Sequence, residues 1–339
     1  MSPDPFFFRD GERVLRFGAA VDEEAAGLLG TFGFDGEWVL LTTERAEAGI
    51  PADVRAAAAD TLHVAAGRVA PAAAALMAGV AGRDIVAYGG GRVVDAAKAV
   101  TAAGGGKVAA IPTTLAGSTF TAFHRLPEGY EGHPMVRPAL AICDPELMTS
   151  APRESLVATA MNALAHGVEA LYGPLANPVA EGAALRGAPL IVGALESGDP
   201  DAGDLALGAL LCGYAVGVAG GLAIHHATCQ STVAVLGTPH AQTNAVMLPR
   251  SIAFMAERAP RQLGRLADAL GVSSVQAAAD RVAAVAAGAG PATLADLGVT
   301  ADQLDAVLDA VAQHPGLAAT PGNPGRDGAR ALLESAGPR

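Results

Sequence analysis

Charged residues are scarce in this chain, and their balance is acidic. Of its 339 residues 17% are charged, and the formal net charge at pH 7 is -12. Such a chain lacks the basic patches that bind a phosphate backbone, which argues against nucleic acid as a partner. Hydrophobic residues make up 51%, so the composition is that of a globular protein and not of a disordered one.

Cysteine is also rare. Cys143, Cys212 and Cys229 lie far apart in the sequence, so neither a disulfide framework nor a zinc ribbon is expected. The first residues show no basic region followed by an apolar core, and this predicts that no signal peptide is present. Both features predict a protein of the reducing cytoplasm.

One long run, from Leu205 to Ile224, has no charged residue. A run of this length could span a bilayer. It is rich in Gly and Ala, however, is interrupted by Gly220-Gly221, and has no flanking basic cluster or aromatic belt. We therefore expect a buried helix and no membrane partner.

The strongest local pattern is a glycine turn between a strand and a helix. An apolar strand at 84–88 is followed by Gly89-Gly90-Gly91, and a helical pattern containing Asp95 and Lys98 on one face begins directly afterwards. Glycines let a ligand approach backbone N–H groups, and a helix N-terminus attracts anions. The turn predicts a phosphate or pyrophosphate site, with an ordinary turn as the alternative. The Gly-x-Gly-x-x-Gly fingerprint is absent.

Short apolar runs alternate with helical patterns throughout the first half of the chain. After a hairpin pattern at 5–18, strands end at Thr42, at Gly89 and at Thr113-Thr114. This alternation predicts a doubly wound, parallel α/β sheet whose ligands bind beyond the carboxyl ends of the strands. Residues 1–148 are therefore expected to form a nucleotide-binding α/β domain.

Strand patterns stop near residue 149, and Ala/Leu-rich helical patterns replace them. They lie at 154–172, 178–195, 204–222, 249–270, 274–287 and 301–311. We expect residues 149–339 to form an all-α domain that carries the substrate or metal site.

Polar residues with ligating side chains stand out in this helical half. Asn162 and His166 are four residues apart, so both project from one helix face, and His226 and His240 flank the segment 227–239. Three imidazoles could hold a borderline metal such as iron or zinc. The alternative is that they are hydrogen-bonded core histidines.

Together these motifs resemble the iron-containing alcohol dehydrogenase superfamily and, within it, the maleylacetate reductases. The matching stretches are the glycine turn, Ile111-Pro112-Thr113-Thr114 with Gly117-Ser118, Asn162 to Tyr172, Asn177-Pro178, His225-His226, Pro239-His240-Ala241 and Asn323-Pro324. The resemblance implies a nucleotide-binding domain followed by a helical domain. It also implies reduction of a substrate by NADH or NADPH, and a homodimer.

The resemblance also implies roles for individual residues. The cofactor-binding residues would be Thr42, Gly89, Gly90, Gly91, Asp95, Lys98, Thr113, Thr114 and Ser118. His166, His226 and His240 would line the catalytic site with Gln230, as direct donors or, together with Asn162, as ligands of iron or zinc.

The departures from the family pattern concern ionisable groups. Asn162 stands where metal-dependent members carry Asp, and an amide is a poorer ligand that brings no charge, so a metal-free site is predicted. Where the reductases usually carry Lys, His, Glu and His, and where the glycine-serine signature usually continues with Glu, this chain has Ala227, Gln230, Gln242, Asn244 and Thr119. These losses predict a different substrate or even a different reaction.

The sequence thus predicts an NAD(P)H-dependent reductase of a small, keto acid-like carbonyl compound with an altered active site. One alternative is a lyase or cyclase on the dehydroquinate synthase-like frame that uses bound nucleotide non-stoichiometrically. The other is a binding protein that has lost its chemistry. Net oxidation of the cofactor would separate the first reading from both alternatives.

Overall fold

The computed structural model describes residues 3–132 and 134–339. The chain divides into two compact units, residues 1–150 and 151–339. Among the described helices, none combines the length and apolar character needed to cross a membrane. The uncharged run at 205–224 mostly forms a helix of the second unit that ends at Val218.

Every strand of the described residues lies in the first unit. The strands are β1 (Phe6–Asp10), β2 (Arg13–Phe17), β3 (Trp38–Thr42), β4 (Asp60–His63), β5 (Asp84–Gly89), β6 (Val108–Pro112) and β7 (Leu140–Cys143). The sheet order is β1-β2-β7-β6-β5-β3-β4. All neighbouring pairs are parallel except β1 with β2, which form an antiparallel hairpin. The predicted parallel sheet is confirmed, with an antiparallel strand at one edge.

Helices cover both faces of this sheet. They are α1 (Ala25–Thr31), α2 (Glu44–Glu47), α3 (Ala52–Ala57), α4 (Val69–Val80), α5 (Gly91–Gly104) and α6 (Pro145–Met148). Val39 and Leu41 of β3 belong to a core with residues of α4 and α5, whereas Leu40 belongs to a second core with residues of α1 and α3. Alternate residues of one strand are therefore buried on opposite faces, as a doubly wound sheet requires.

The described residues of the second unit form helices and no strands, which confirms the predicted all-α half. The helices are α7 (Arg153–Ala170), α8 (Pro178–Glu196), α9 (Ala202–Val218), α10 (Ile224–Leu236), α11 (His240–Met255), α12 (Pro260–Ala269), α13 (Val275–Ala286), α14 (Leu304–Gln313), α15 (Pro315–Ala318) and α16 (Gly325–Ser335).

One helical prediction in this half is wrong, and one helix was missed. A single helix at 249–270 is wrong: α11 begins at His240 and carries Pro249 inside it, and the chain turns before Pro260 starts α12. Proline is favoured in the first turn of a helix, and so Pro249 was a misleading start signal. The segment 227–239 was not predicted as a helix, yet most of it belongs to α10.

Small residues bring α7, α8 and α9 into close contact. A Cβ on Gly167 of α7 would lie 2.6 Å from Cys212 Sγ, and a Cβ on Gly208 of α9 would lie 2.9 Å from the Gly187 carbonyl oxygen. These helices therefore approach nearly to backbone contact, which leaves no room for a side chain at either position. This packing fixes α7, the helix that carries Asn162 and His166.

Candidate active site

The predicted cofactor residues of three strands meet at one edge of the sheet. Thr42 ends β3, Gly89 ends β5, and Thr113 directly follows β6. These strands are adjacent and parallel, so their carboxyl ends lie side by side. The Thr113 N–H donates to the Gly89 carbonyl at 3.0 Å, which ties the glycine turn to the loop after β6.

The glycines of the turn have a structural role that the sequence did not reveal. Gly89 has a φ of +156°, which disfavours other residues, and Gly90 precedes the first turn of α5. A Cβ on Gly91 would lie 2.8 Å from Ala116 Cβ, and one on Gly90 would lie 3.2 Å from Thr114 Cγ2. Small residues are thus required here because the loop after β6 packs directly against the turn.

Lys98 is fully buried and holds the next part of that loop. Its ammonium donates to the carbonyls of Ser118 at 2.8 Å, Phe123 at 2.7 Å and Thr121 at 3.3 Å, and it lies 2.9 Å from Asp95 Oδ1. Burial lowers the pKa of Lys98, and the Asp95 carboxylate acts in the opposite direction. Lys98 therefore holds the segment 117–123 in place through its backbone carbonyls.

Arg13 of β2 holds the same segment and was not predicted to matter. Its guanidinium donates to the Thr119 carbonyl at 2.6 Å and to the Phe120 carbonyl at 3.1 Å. Two buried cations thus fix segment 117–123, which contains the predicted cofactor residue Ser118. No sequence signal could have linked Arg13 to residues more than one hundred positions away.

The carboxyl edge of the sheet fits a dinucleotide. Thr42 Oγ1 and Thr114 Oγ1 are buried, and neither has a hydrogen-bond partner in the part of the chain that the structure describes. Buried hydroxyls are normally satisfied, so these two call for a polar ligand or water. The N-terminus of α5 begins at the same edge, and its first N–H groups and dipole favour a phosphate group.

In the second unit, α7 and α10 bring together three of the predicted polar residues. Asn162 and His166 lie on α7, and His226 lies on α10, followed four residues later by Gln230. The rings of His166 and His226 stack with centroids 4.7 Å apart and planes inclined by 7°. We call these three residues, together with His240, whose imidazole helps to lower the pKa of both rings, the histidine cluster (Asn162, His166, His226 and His240).

Glu169 fixes the orientation of His226. Its Oε2 lies 2.6 Å from His226 Nδ1, and its Oε1 accepts the His226 backbone N–H at 3.3 Å, in the first turn of α10. The carboxylate thus serves the helix N-terminus and the imidazole together, and with Glu169 ionised His226 must carry its proton on Nδ1. Burial raises the pKa of Glu169, and the His225 imidazole and then the backbone N–H groups at the start of α10 oppose that shift.

Sequence reasoning overlooked Glu169, although a signal was present. A carboxylate three residues after His166, in an otherwise apolar stretch of helix, is uncommon unless it has a buried partner. By contrast, nothing in the sequence marks His314, which contacts Gln230 across 84 residues.

Three atoms of the histidine cluster are buried without a hydrogen bond. They are Asn162 Oδ1, His166 Nδ1 and His226 Nε2, within the described residues. Burial, and after it the neighbouring imidazoles of His240 and His314, lower the pKa of His226 to about 3. Burial and nearby imidazoles also lower the pKa of His166 well below its usual value. Both rings are therefore neutral near pH 7.

His225 faces away from its neighbour and joins a separate buried network. Its ring is perpendicular to that of His226, and it contacts Ser251 Oγ at 3.0 Å and Asn244 Oδ1 at 2.9 Å. The Asn244 amide in turn donates to the His240 carbonyl at 2.7 Å and lies 3.4 Å from His240 Nε2. This network fixes the first turn of α11, where the exposed His240 begins the helix.

The ring orientations in the histidine cluster bear on whether it can hold a metal ion. Within residues 3–132 and 134–339, no group of three or more His, Cys, Asp or Glu side chains is arranged to hold a metal ion. The lone pair of an imidazole lies in the ring plane, so the stacked rings of His166 and His226 direct theirs along separate planes. The ligand types suit iron or zinc, but this arrangement does not.

Comparison with known proteins agrees with the fold and the motifs. Residues 156–337 match the model of the Fe-containing alcohol dehydrogenase family, C-terminal part. Maleylacetate reductase 1 of Rhodococcus opacus is 37% identical over 264 residues, 74% of this chain and 72% of that protein. The crystal structure of maleylacetate reductase from Rhizobium sp. strain MTP-10005 has a TM-score of 0.81 at 29% identity, covering 99% of this chain and 98% of that one.

The chain therefore belongs to the Fe-containing alcohol dehydrogenase family. It is an NAD(P)-dependent oxidoreductase that acts on CH–OH or C=O groups. The resemblance seen in the sequence is confirmed, and the relatives favour the predicted reductase over the lyase and the binding protein. The roles of the individual site residues stay predictions.

Proposed function

We propose that this protein reduces a small keto acid similar to maleylacetate with NADH or NADPH. The observation that carries the proposal is the histidine cluster, where buried polar atoms of Asn162, His166 and His226 have no partner among the described residues. Buried polar atoms are costly when unsatisfied, so a polar substrate that forms hydrogen bonds with them gains binding free energy. The relatives are themselves named maleylacetate reductases.

We infer that the dinucleotide binds at the carboxyl edge of the sheet, with its pyrophosphate at Gly89-Gly90-Gly91. A bound reduced nicotinamide supplies the hydride. The α5 N-terminus would hold the phosphates, and the hydroxyls of Thr42 and Thr114 offer hydrogen bonds at the same edge. Lys98 is committed to segment 117–123 and would support this site without touching the cofactor.

The hydrogen bonds favour His240 over His226 as the proton donor. The Nδ1 proton of His226 is held by Glu169, and Nε2 carries a lone pair, so this ring can accept a proton but not give one. The low pKa of His226 keeps it in that form near neutrality. His240 is exposed at the start of α11 and is the titratable member left to protonate a developing alkoxide.

The substituted positions bear on which keto acid is reduced. Ala227 and Gln230 remove two ionisable side chains that the resemblance leads one to expect, and Gln242 and Asn244 remove two more. Positions 227, 230 and 244 lack an expected lysine and two expected imidazoles that could pair with a dicarboxylate, whereas position 242 lacks an expected glutamate, so recognition would depend more on neutral hydrogen-bond donors. We therefore propose a substrate related to maleylacetate that carries fewer charges or binds more weakly.

The experiment is a substrate screen that follows the absorbance of NADH and NADPH. Maleylacetate, smaller keto acids and uncharged ketones are compared at equal concentration. Stoichiometric oxidation of the cofactor with one keto acid supports the proposal. Turnover of no carbonyl compound by a protein that binds reduced cofactor would reject it and favour the lyase or the binding protein.

The metal-free site stays a prediction and has its own test. We expect purified protein, prepared without chelators and dialysed, to hold well under one equivalent of iron or zinc in elemental analysis. The physical reason is that Asn162 adds no charge and that the ring lone pairs of the stacked His166 and His226 lie in two separate, nearly parallel planes. A full equivalent that survives dialysis would overturn this prediction and make His166, His226 and His240 ligands.

We further propose a cytoplasmic homodimer. Cys143, Cys212 and Cys229 are all unpaired thiols, as expected in a reducing compartment. Strand β1 lies at the sheet edge, and Phe7 and Phe8 on it are 58% and 38% exposed. A second copy paired along β1 would cover both. Sedimentation of the parent and of Phe7→Lys tests this, since a parent monomer would reject the dimer.

A further inference from the structure

A histidine outside the predicted site contacts Gln230. His314 precedes α15 in the chain, and its side chain caps that short helix: the Gly316 backbone N–H lies 3.0 Å from His314 Nδ1. The other ring nitrogen, Nε2, lies 3.2 Å from Gln230 Oε1. The imidazole thus bridges a backbone amide and the side-chain amide of a residue in α10.

These two contacts fix the protons of the bridge. A backbone N–H can only donate, so His314 Nδ1 must carry a lone pair. In the neutral ring the proton is then on Nε2, and the Gln230 atom that faces it must be an acceptor. That atom is the amide oxygen, and the –NH2 group is the other end of the Gln230 side chain.

Gln230 lies on the helix face of the histidine cluster. It follows His226 by four residues on α10, so the two side chains project from the same side. His314 and His240 both lower the pKa of His226, after burial, which is consistent with imidazoles grouped around that face. A glutamine is nearly symmetric in shape and could present either end, whereas the bridge to His314 selects one.

We propose that His314 is a positioning residue that holds Gln230 as a hydrogen-bond donor for an acceptor oxygen of the substrate. The chemical class of that acceptor is the carboxylate or ketone oxygen of a small keto acid, which deepens the proposed function and rests on it. At position 230, where the related reductases usually carry a titratable imidazole, this chain then has a neutral donor whose orientation the bridge fixes. Specificity would therefore depend on a residue 84 positions away from the one it orients.

A double-mutant cycle tests this role. His314→Asn keeps an oxygen that can cap α15, because Asn is a favoured N-cap, but its side chain is too short to reach Gln230. Gln230→Met keeps the length of the side chain and removes both polar ends. With maleylacetate and NADH, we expect each single variant to lose about tenfold in kcat/KM, mostly as a higher KM, the size of one lost hydrogen bond.

The double variant should be no worse than Gln230→Met alone, because His314 acts only through Gln230. Losses that multiply, or full activity in His314→Asn, would overturn the proposal. The melting temperature and the NADH dissociation constant of each variant serve as controls, and both should match the parent. A lower melting temperature with unchanged kcat/KM would assign His314 to capping alone and also reject the positioning role.

A second measurement does not depend on the substrate. Nitrogen-15 NMR of the free enzyme should show His314 as the neutral tautomer with its proton on Nε2, and the Nε2 signal should shift in Gln230→Met. A proton on Nδ1 would overturn the proposal even if maleylacetate is turned over. If no keto acid is reduced but the tautomer is as expected, the proposed function fails and the orientation of Gln230 stands.

Discussion

Lys98 in the first unit and His226 in the second are both buried polar side chains, yet their atoms are satisfied to different degrees. The Lys98 ammonium has three backbone carbonyls and one carboxylate within 3.3 Å. His226 has Glu169 on one ring nitrogen, while the other is buried without a partner in the described part of the chain. Buried groups normally find partners inside the protein, so the unsatisfied ones mark where another molecule belongs.

This difference distinguishes buried polar side chains that hold the fold together from those that are available to bind a ligand. A cation that is fully satisfied by the protein holds the chain around it and has no capacity left for a ligand. The histidine cluster keeps hydrogen-bonding capacity at Asn162, His166 and His226, at the cost of some folding free energy. Removing Lys98 should therefore damage the fold, whereas changes in or beside the histidine cluster should damage chemistry.

The largest effect is expected from His240→Ala. Loss of the proton donor should lower kcat by about 100-fold to 10,000-fold, the usual contribution of a general acid. Nucleotide affinity and melting temperature should stay close to the parent values, because His240 is exposed at the start of α11. Steady-state turnover and a fluorescence titration with NADH measure the two quantities. Undiminished turnover would show that the protonation site lies elsewhere.

Lys98→Met tests the scaffold side. Three carbonyls and Asp95 would lose their buried cation, so the free energy of unfolding should fall by about 3–5 kcal/mol. Lys107→Met is the matched control, since that ammonium is partly exposed, donates to the single carbonyl of Gly33 at 2.6 Å, and has a long ion pair with Asp84 at 3.8 Å. The control should cost less than about 1 kcal/mol in urea denaturation. Equal losses in the two variants would contradict the comparison.

The stability of the protein should depend on pH in a way set by the buried imidazoles. The pKa of His225 and that of His226 are both lowered to about 3, mainly by burial. Below about pH 6.5 these imidazoles bind protons in the unfolded chain but not in the folded one, so the free energy of unfolding decreases as pH falls. Burial raises the pKa of Glu169, and this single carboxyl opposes the trend. The pKa values of three imidazoles, those of His166, His225 and His226, are lowered, so we expect the imidazoles to set the net change.

Urea denaturation at pH 7, 6 and 5 checks this expectation. The free energy of unfolding should decrease over that range, and His225→Gln should flatten the decrease by removing one titrating ring. A stability that rises on acidification would show that carboxyl groups dominate and that the imidazoles are not buried as described.

Gly90→Val should have a smaller effect, confined to the cofactor. A Cβ at this position already lies 3.2 Å from Thr114 Cγ2, and the branched methyl groups of valine would crowd the start of α5. These methyl groups would also stand in the approach path of the pyrophosphate to the turn, so NADH affinity should fall by about tenfold or more. Gly27→Val in α1 has open space around it and is the control. Equal NADH affinity in both variants would show that the pyrophosphate does not bind at this turn.

Sequence patterns predicted the carboxyl edge of the sheet well because its features are local. Buried apolar runs that end at Thr42, Gly89 and Thr113 are visible as short strands, and parallel topology then brings their ends together. The packing that makes Gly91 necessary could not be predicted, since Ala116 approaches it through the tertiary fold.

The histidine cluster was predicted from a resemblance and not from periodicity. Asn162 and His166 share a helix face by spacing alone, but α10 was missed as a helix, so the relation of His226 to Gln230 was not visible. Glu169 was overlooked although it stands in an apolar stretch of helix, because its partner lies 57 residues away. His314 lies 84 residues from Gln230, and nothing in its local sequence marks that contact.

The burial of Lys98 also has a consequence for protein chemistry. Lys98 and Lys107 are the two lysines of the sequence, and only Lys107 has its side chain in contact with solvent. Amine-reactive labels should therefore acylate Lys107 while the ammonium of Lys98 stays shielded beneath segment 117–123. A dye or a solid support attached through lysine would then sit at one defined point of the surface. Slow acylation of Lys98 would report each opening of the fold around α5, without any reference to catalysis.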